Sequence, residues 1–138
     1  MELEIITSTE TAVKTSIKEI YIPAFFGEAG ILENHLPYIS ILDFGEISYL
    51  DTQGIHHFLY IEKGFIRNSA NRITIISDSI EKAEEMDGVE VQKRFQELDG
   101  KIKSAPGGGI SPPELQEALI QQRKMKVKVD MLKKLEQR

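Results

Sequence analysis

Apolar residues alternate with polar ones along most of the first 86 positions. A spacing of two is typical of β-strands, because successive side chains of a strand point to opposite faces of its sheet. The pattern recurs in five apolar pairs, which are Leu3 and Ile5, Ile20 and Ile22, Ile47 and Tyr49, Phe58 and Tyr60, and Ile73 and Ile75.

Turn-forming residues separate these runs. Asp51-Thr52-Gln53-Gly54 lies between two of them and predicts a hairpin turn, in which Gly54 can take a positive φ. Ser69-Ala70-Asn71 divides two later runs in the same way. Many short strands joined by turns favour a sandwich or a barrel over alternating strands and helices.

After Asp87 the apolar spacing changes to that of a helix. Val91, Phe95, Leu98 and Ile102 fall on one helical face. Asp87 followed by Glu90 predicts a capping box at the start of this helix. Residues 104–113, SAPGGGISPP, contain three consecutive glycines and three prolines, so they predict a hinge that no helix or strand crosses.

A second helix is predicted from Pro113, because proline is tolerated in the first helical turn. Its apolar stripe is broader than one partner helix would cover. It comprises Leu115, Leu119, Met125, Val129 and Leu132, with Ile120, Val127, Met131 and Leu135 beside them. The predicted fold is therefore α+β, with an N-terminal antiparallel β-sandwich over residues 1–86 and a C-terminal antiparallel helical hairpin over 87–138.

Charge divides the chain at the same place. Residues 1–86 hold six Lys and Arg against fourteen Asp and Glu, a net −8, whereas residues 87–138 hold eleven against eight, a net +3. An acidic first part argues against nucleic acid as a partner. No apolar run approaches the ~18 residues that span a bilayer, and acids stand where a signal peptide carries bases. We therefore expect the chain to stay in the compartment where it is made, or on a membrane that faces this compartment.

Patterns that suggest catalysis are incomplete. Pro106-Gly107-Gly108-Gly109 lacks the Lys-Ser/Thr that ends a phosphate-binding loop. His56 and His57 are neighbours on a predicted strand, so their side chains point apart and cannot share a metal. There are no cysteines, and no Ser-His-Asp or Glu-x-x-His arrangement is present. We expect neither enzymatic activity of the chain alone nor a metal or cofactor.

Residues 27–37 read GEAGILENHLP and place an apolar pair within a polar, glycine-rich run. With Lys63-Gly64-Phe65-Ile66, the later Ile73–Asp78 strand, Met86-Asp87 and the terminal hairpin, this run resembles the epsilon subunits of bacterial-type F-type ATP synthases, whose mitochondrial counterpart is called delta. The likeness extends over essentially the whole chain. One departure is Glu33-Asn34, which stands where the family usually has Pro-Gly before the histidine.

The resemblance implies a contact between this run and the membrane ring of proton-carrying subunits. Exposed apolar and acidic groups beside basic ring loops would form this contact. Ile31 and Leu32 would be the apolar pair, although either could instead begin an inward-facing strand. The residues expected to contact the ring are Glu28, Ala29, Gly30, Ile31, Leu32, Glu33, Asn34 and His35.

The resemblance also implies a central-stalk rotor subunit that binds gamma and couples ring rotation to ATP synthesis. The hairpin would inhibit ATP hydrolysis when it extends towards the catalytic alpha/beta head, where its basic face would meet an acidic segment. That face comprises Arg123, Lys124, Lys126, Lys128, Lys133 and Lys134. The expected location is peripheral, without membrane insertion, on the cytoplasmic face of a bacterial membrane or the stromal side of a thylakoid.

Some family members bind ATP beside an Asp-x-x-Arg-Ala run at the start of the first helix. Here Glu90 replaces the arginine, which places a negative charge where a phosphate would lie. Asp87, Arg123 and Lys126 remain as candidates, and we expect weak ATP binding or none. The alternative function is a free-standing sandwich that binds a small ligand or peptide and dimerises through its helical tail.

Overall fold

The computed structural model describes residues 1–138 and contains nine strands followed by two long helices. The strands are β1 Glu2–Ile6, β2 Thr11–Ala24, β3 Gly27–Leu32, β4 Tyr38–Leu42, β5 Gly45–Asp51, β6 His56–Ile61, β7 Gly64–Ser69, β8 Arg72–Ile76 and β9 Ile80–Lys82. The helices are α1 Gly88–Lys103 and α2 Pro112–Gln137. Neither helix combines the length and the hydropathy that crossing a bilayer requires.

The long strand β2 connects the two halves of a folded sheet. Its first part pairs with β1, and its second part pairs with β3 and β5. The strand order is β1-β8-β7-β4-β2-β5-β6-β9, and every pairing is antiparallel except that of β1 with β8. The sequence therefore predicts the fold class correctly, and the one parallel pairing is the feature that local alternation does not reveal.

The core of the sandwich is built from the alternating residues. Leu3, Ile5, Ile20, Ile22 and Ile47 are each no more than 2% exposed and belong to one apolar cluster of 16 buried residues. Fully burying one such side chain contributes about 1.5–3 kcal/mol, so this cluster is the main source of the sandwich's stability.

Both predicted hairpin turns are present. Gly54 has φ 82°, and the Asp51 carboxylate accepts hydrogen bonds from the backbone amides of Gln53 and Ile55. Ala70 and Asn71 have φ 53° and 61°, the conformation that a two-residue hairpin loop requires.

Both helices begin at capped residues. The Asp87 side chain accepts hydrogen bonds from the amides of Val89 and Glu90, as predicted, although Glu90 makes no return bond to Asp87. Ser111 caps α2, which starts at Pro112, one residue before the predicted position. Between the helices the chain makes a 3₁₀ turn, and Gly108 is left-handed with φ 77°.

Two sides of α2 are covered, as its broad apolar stripe predicts. One side packs on α1, where the Gln122 side chain donates to Asp99 at 3.0 Å. The other side packs on the outer face of β5 and β6, where the fully buried Met131 contacts Phe58, Tyr60 and Ala83. A dimerisation tail would need that second side, which the sandwich already occupies.

Candidate functional site

The segment expected to contact a ring is an edge strand and not a loop. β3 pairs with β2 along its whole length, with Ile31 opposite Ile20. Ile31 is 1% exposed, whereas Leu32 is 54% exposed. Because side chains alternate along a strand, only one of the two can face outward. The expectation that Ile31 offers its side chain to a partner is therefore wrong, and Leu32 is the exposed member of the pair.

The glycine at position 30 has an internal cause. A Cβ built at Gly30 would lie 2.8 Å from Cε1 of Tyr21, the residue opposite it on β2. The Tyr21 ring crosses the β3 backbone, so any larger residue would displace it. This glycine is explained by packing within the chain and does not require a partner's close approach.

After β3 the chain turns and is tied to the β7–β8 hairpin. Asn34 has φ 65°, a left-handed geometry that asparagine tolerates better than most residues other than glycine. Its amide donates to the Asn71 side chain at 2.7 Å, and the Asn71 side chain donates back to the Asn34 side chain at 3.2 Å. The buried Asn68 donates to the carbonyl of Leu36 at 3.3 Å. Glu33 and His35 stay exposed on this anchored turn.

The β3 residues that are expected to contact the ring therefore lie on two different faces of the strand. Glu28, Gly30 and Leu32 are exposed, Ala29 is half-buried and Ile31 is internal. The exposed members form a continuous edge of the sandwich that ends at the anchored turn.

A row of exposed apolar side chains crosses the outer surface of β4, β7 and β8. Ile41 lies opposite Phe65, and Phe65 lies opposite Ile76. These three side chains are 54–57% exposed. Phe25 and Phe26, at the β2–β3 turn, are 66% and 93% exposed, and Phe25 lines the cleft between α2 and the sandwich.

Alternation along single strands does not predict this row, because the row crosses three strands. Its signal is present, because Ile75-Ile76 and Phe65-Ile66 are adjacent apolar pairs in short strands, and one member of each must face outward. A contiguous apolar surface of this kind typically marks a protein contact.

The opposite outer surface carries the hairpin, and charges cross that junction. Lys124 pairs with Glu62 at 3.0 Å, and Lys128 pairs with Glu81 at 3.2 Å. Further along α2 are the pairs Lys134–Glu46 at 2.6 Å and Arg138–Glu84 at 3.2 Å.

The six predicted basic residues consequently do not form one free face. Lys124, Lys128 and Lys134 are paired with the sandwich, and Lys126 pairs with Asp130 of its own helix at 3.1 Å. Arg123 lies over the Phe44 ring, 5.9 Å from its centroid. Lys133 lines a cleft between α2 and the sandwich, together with Tyr21, Glu28, Asp43 and Glu46.

The candidate nucleotide residues are not brought together. The Asp87 carboxylate is occupied in capping α1, and the adjacent Gly88 lies beside Leu132. Lys126 and Arg123 precede Leu132 by six and nine residues on α2, which is roughly 9 and 14 Å along the helix axis.

Titratable groups in the sandwich are perturbed by local causes. The hydrogen bond from His57, at 2.8 Å, lowers the pKa of Asp51, and the amides of the β5–β6 turn act in the same direction. Burial under α2 raises the pKa of Tyr60, and the nearby Glu62 and Glu81 carboxylates raise it further. No three His, Asp or Glu side chains are placed to hold a metal.

Comparison with known proteins agrees with this architecture. Residues 1–83 match the ATP synthase delta/epsilon chain beta-sandwich domain. An ATP synthase epsilon chain of Nitratidesulfovibrio vulgaris (strain DP4) is 29% identical over 126 residues, which are 89% of this chain and 93% of that protein. One from Lawsonia intracellularis is 30% identical over 105 residues, covering 76% and 78%.

Among solved structures, the mitochondrial ATP synthase of Euglena gracilis contains a chain of the same fold. The TM-score is 0.69 at 19% identity, covering 97% of this chain and 78% of that one. The sandwich has one apolar outer surface and one that the helices cover. The match of residues 1–83 to the family's sandwich domain, together with these relatives, shows that the chain belongs to the ATP synthase delta/epsilon family.

Proposed function

We propose that this non-catalytic central-stalk chain joins the gamma subunit to the membrane ring and carries a hairpin that inhibits ATP hydrolysis. The observation that carries the proposal is the division of the sandwich into separate surfaces. The first surface is apolar and uncovered, and the second is an exposed edge strand. The third is covered by helices, which lie outside the hydrogen-bonded sheet.

The apolar row suits gamma. Ile41, Phe65 and Ile76 lie on strands whose backbone is already paired, so binding does not have to order the backbone of this surface. A rigid apolar face supports a stable contact, as rotation of the stalk requires. The rim includes Arg67 and Arg72, which form no ion pair with a carboxylate of the chain and would complement acids on gamma.

The edge strand suits the ring. Glu28, Leu32, Glu33 and His35 are exposed along β3 and the turn after it, so they can meet a flat surface together. The acidic members complement basic ring loops. Ala29, Gly30, Ile31 and Asn34 support the contact through backbone and turn geometry, with no apolar side chain presented by Ile31.

The hairpin suits a regulator. We infer a division of the chain into a sandwich, residues 1–86, and a movable unit, residues 87–138, with bending at 104–113. The part of α2 that contacts the sandwich buries one complete side chain, Met131, and is otherwise half-buried or ion-paired, which is a small junction for a 26-residue helix. The extended hairpin would present α2 to the alpha/beta head.

Two experiments test this function. Deleting residues 87–138 should raise the ATPase activity of the assembled enzyme and leave its assembly intact, and unchanged activity would rule out inhibition by the hairpin. Ile41→Glu should weaken association with gamma at least about tenfold, since it buries a charge in an apolar contact. The control is Ile55→Glu in the β5–β6 turn, which alters a 44% exposed isoleucine away from the row.

Membrane association follows from the ring contact. We propose a peripheral position on the cytoplasmic face of a bacterial membrane, or on the stromal side of a thylakoid. The proposed contact with the ring supports this position, because that partner lies in the membrane.

A further inference from the structure

We infer that four ion pairs hold the hairpin on the sandwich, and that the same α2 cations must leave their partners before they can contact an acidic surface of another subunit. This inference rests on the proposed regulatory role and specifies how the docked state is maintained. We call the four pairs the latch. They are Lys124–Glu62, Lys128–Glu81, Lys134–Glu46 and Arg138–Glu84.

The latch contains every ion pair that a lysine or arginine forms between distant parts of the chain. The other Lys and Arg pairs are Arg94–Glu97, Lys103–Asp99 and Lys126–Asp130, each within one helix. Those local pairs persist when the hairpin moves, whereas all four latch pairs must break.

The latch acids converge from four segments of the sandwich. Glu46 lies on β5, Glu62 follows β6, Glu81 lies on β9, and Glu84 lies in the 3₁₀ turn Ala83–Glu85. Each meets a cation on the side of α2 that also carries Met131. The acidic excess of residues 1–86 and the basic excess of residues 87–138 are therefore in contact across this junction.

Burial makes the central pairs stronger than ordinary surface pairs. The side chain of Lys128 is 16% exposed, and its ammonium lies 4.6 Å from the Tyr60 ring centroid. The side chains of Lys124 and Glu46 are 22% and 19% exposed. Partial exclusion of water raises the attraction between such charges. Their partners Glu62, Glu81 and Lys134 are 40–52% exposed, so salt still reaches the pairs and screens them. A cation removed from this site must find another acid or be hydrated.

Two polar groups buried between α2 and the sandwich favour opening of the latch. One Glu46 oxygen is buried without a hydrogen-bond partner, and the Tyr60 hydroxyl has none beyond the adjacent Glu62 carboxylate. Both regain partners from water when α2 leaves, which offsets part of the attraction. This offset favours a latch that can open.

A single buried thiol would measure opening. The chain has no cysteine, and Ala83 is 1% exposed beneath Met131, so Ala83→Cys gives one thiol that a reagent reaches only when the hairpin undocks. When opening and closing are fast relative to modification, the labelling rate is proportional to the open population. We expect this rate to rise several-fold as NaCl goes from about 0.02 to 0.5 M, because the Debye length falls severalfold.

If apolar contact alone held the hairpin, the labelling rate would not rise with salt. Salt does not weaken apolar burial in the way that it screens charges, so a flat or falling labelling rate would overturn the latch.

Charge exchange tests one pair directly in the Ala83→Cys background. Lys124→Glu and Glu62→Lys should each raise the labelling rate by at least about two- to fivefold, and combining them should restore it to within about twofold. Arg94→Glu is the matched control, since it makes the same charge change on an exposed helical pair and should leave the rate unchanged. Absence of rescue by the double variant would refute the pair.

The latch and the proposed function fail in different assays. If labelling responds as expected but Lys124→Glu and its rescue leave ATPase inhibition in the assembled enzyme unaltered, the latch stands and the inhibitory role is wrong. If labelling is unaffected by salt and by charge exchange, the latch is wrong whatever the assembled enzyme does.

Discussion

Removing the side chain of Met131 should release the hairpin without unfolding the sandwich. Met131 is fully buried between Phe58, Tyr60 and Ala83, with Val127 and Leu135 beside it on α2. It is absent from the main core cluster, so the loss falls on the junction alone.

The size of this effect follows from the complete burial of the Met131 side chain. Truncating a buried methionine to alanine costs about 2–5 kcal/mol, depending on how far the surroundings collapse. At 1.4 kcal/mol for each factor of ten, the lower limit corresponds to about a 30-fold increase in the undocked population. The urea midpoint of the sandwich, which reports the core, should change little.

Thiol labelling of the Ala83→Cys chain measures this change. Met131→Ala should raise the labelling rate at least about 30-fold, while Leu119→Ala should leave it nearly unchanged, because Leu119 is 41% exposed on the same helix. Equal effects of the two variants would refute the assignment of Met131 to the junction. A fall in the urea midpoint that matches the labelling change would show that hairpin and sandwich unfold as one unit.

Three further outcomes are expected. Gly64→Ala should destabilise the chain by about 1–3 kcal/mol, since the new Cβ would lie 2.5 Å from the Ile76 carbonyl oxygen, and Gly107→Ala, whose Cβ meets nothing, should be near neutral in the same urea titration. Asp51→Asn should lower the urea midpoint at neutral pH. Because His57 lowers the folded pKa of Asp51 below the ordinary value of about 3.9, this stabilisation is complete above that value and is lost as pH falls towards the folded pKa, so parent and variant midpoints should converge in acid. Calorimetric titration of the isolated chain with ATP should show no micromolar binding, and micromolar affinity would contradict the nucleotide prediction.

Local pattern predicted the strands, turns and caps because each depends on near neighbours. Ile20 and Ile22 are buried as their spacing requires, and Asp87 caps α1 through amides two and three residues away. The breadth of the α2 stripe likewise predicted a second covered side, which Met131 provides.

Long-range features had no comparable signal. Ile31 and Leu32 are adjacent apolar residues, so pattern alone did not indicate which one faces the core. Lys134 and Glu46 are 88 positions apart, and nothing near either residue identifies the other as its partner. The basic residues of α2 were recognised, but their contacts in the docked state depend on how the hairpin lies on the sheet.

The short tether between Ala83 and α1 limits where an undocked hairpin can travel. Ala83 directly follows β9, which is paired with β6, and α1 starts at Gly88, so the beginning of α1 stays within roughly 18 Å of that anchor. The helices have 16 and 26 residues, about 24 and 39 Å long, so a straightened hairpin would reach roughly 60–80 Å. The far end of α2 can therefore reach much farther from the sandwich than the start of α1 can. Removing one helical turn from α2 should shorten that reach by about 5.4 Å.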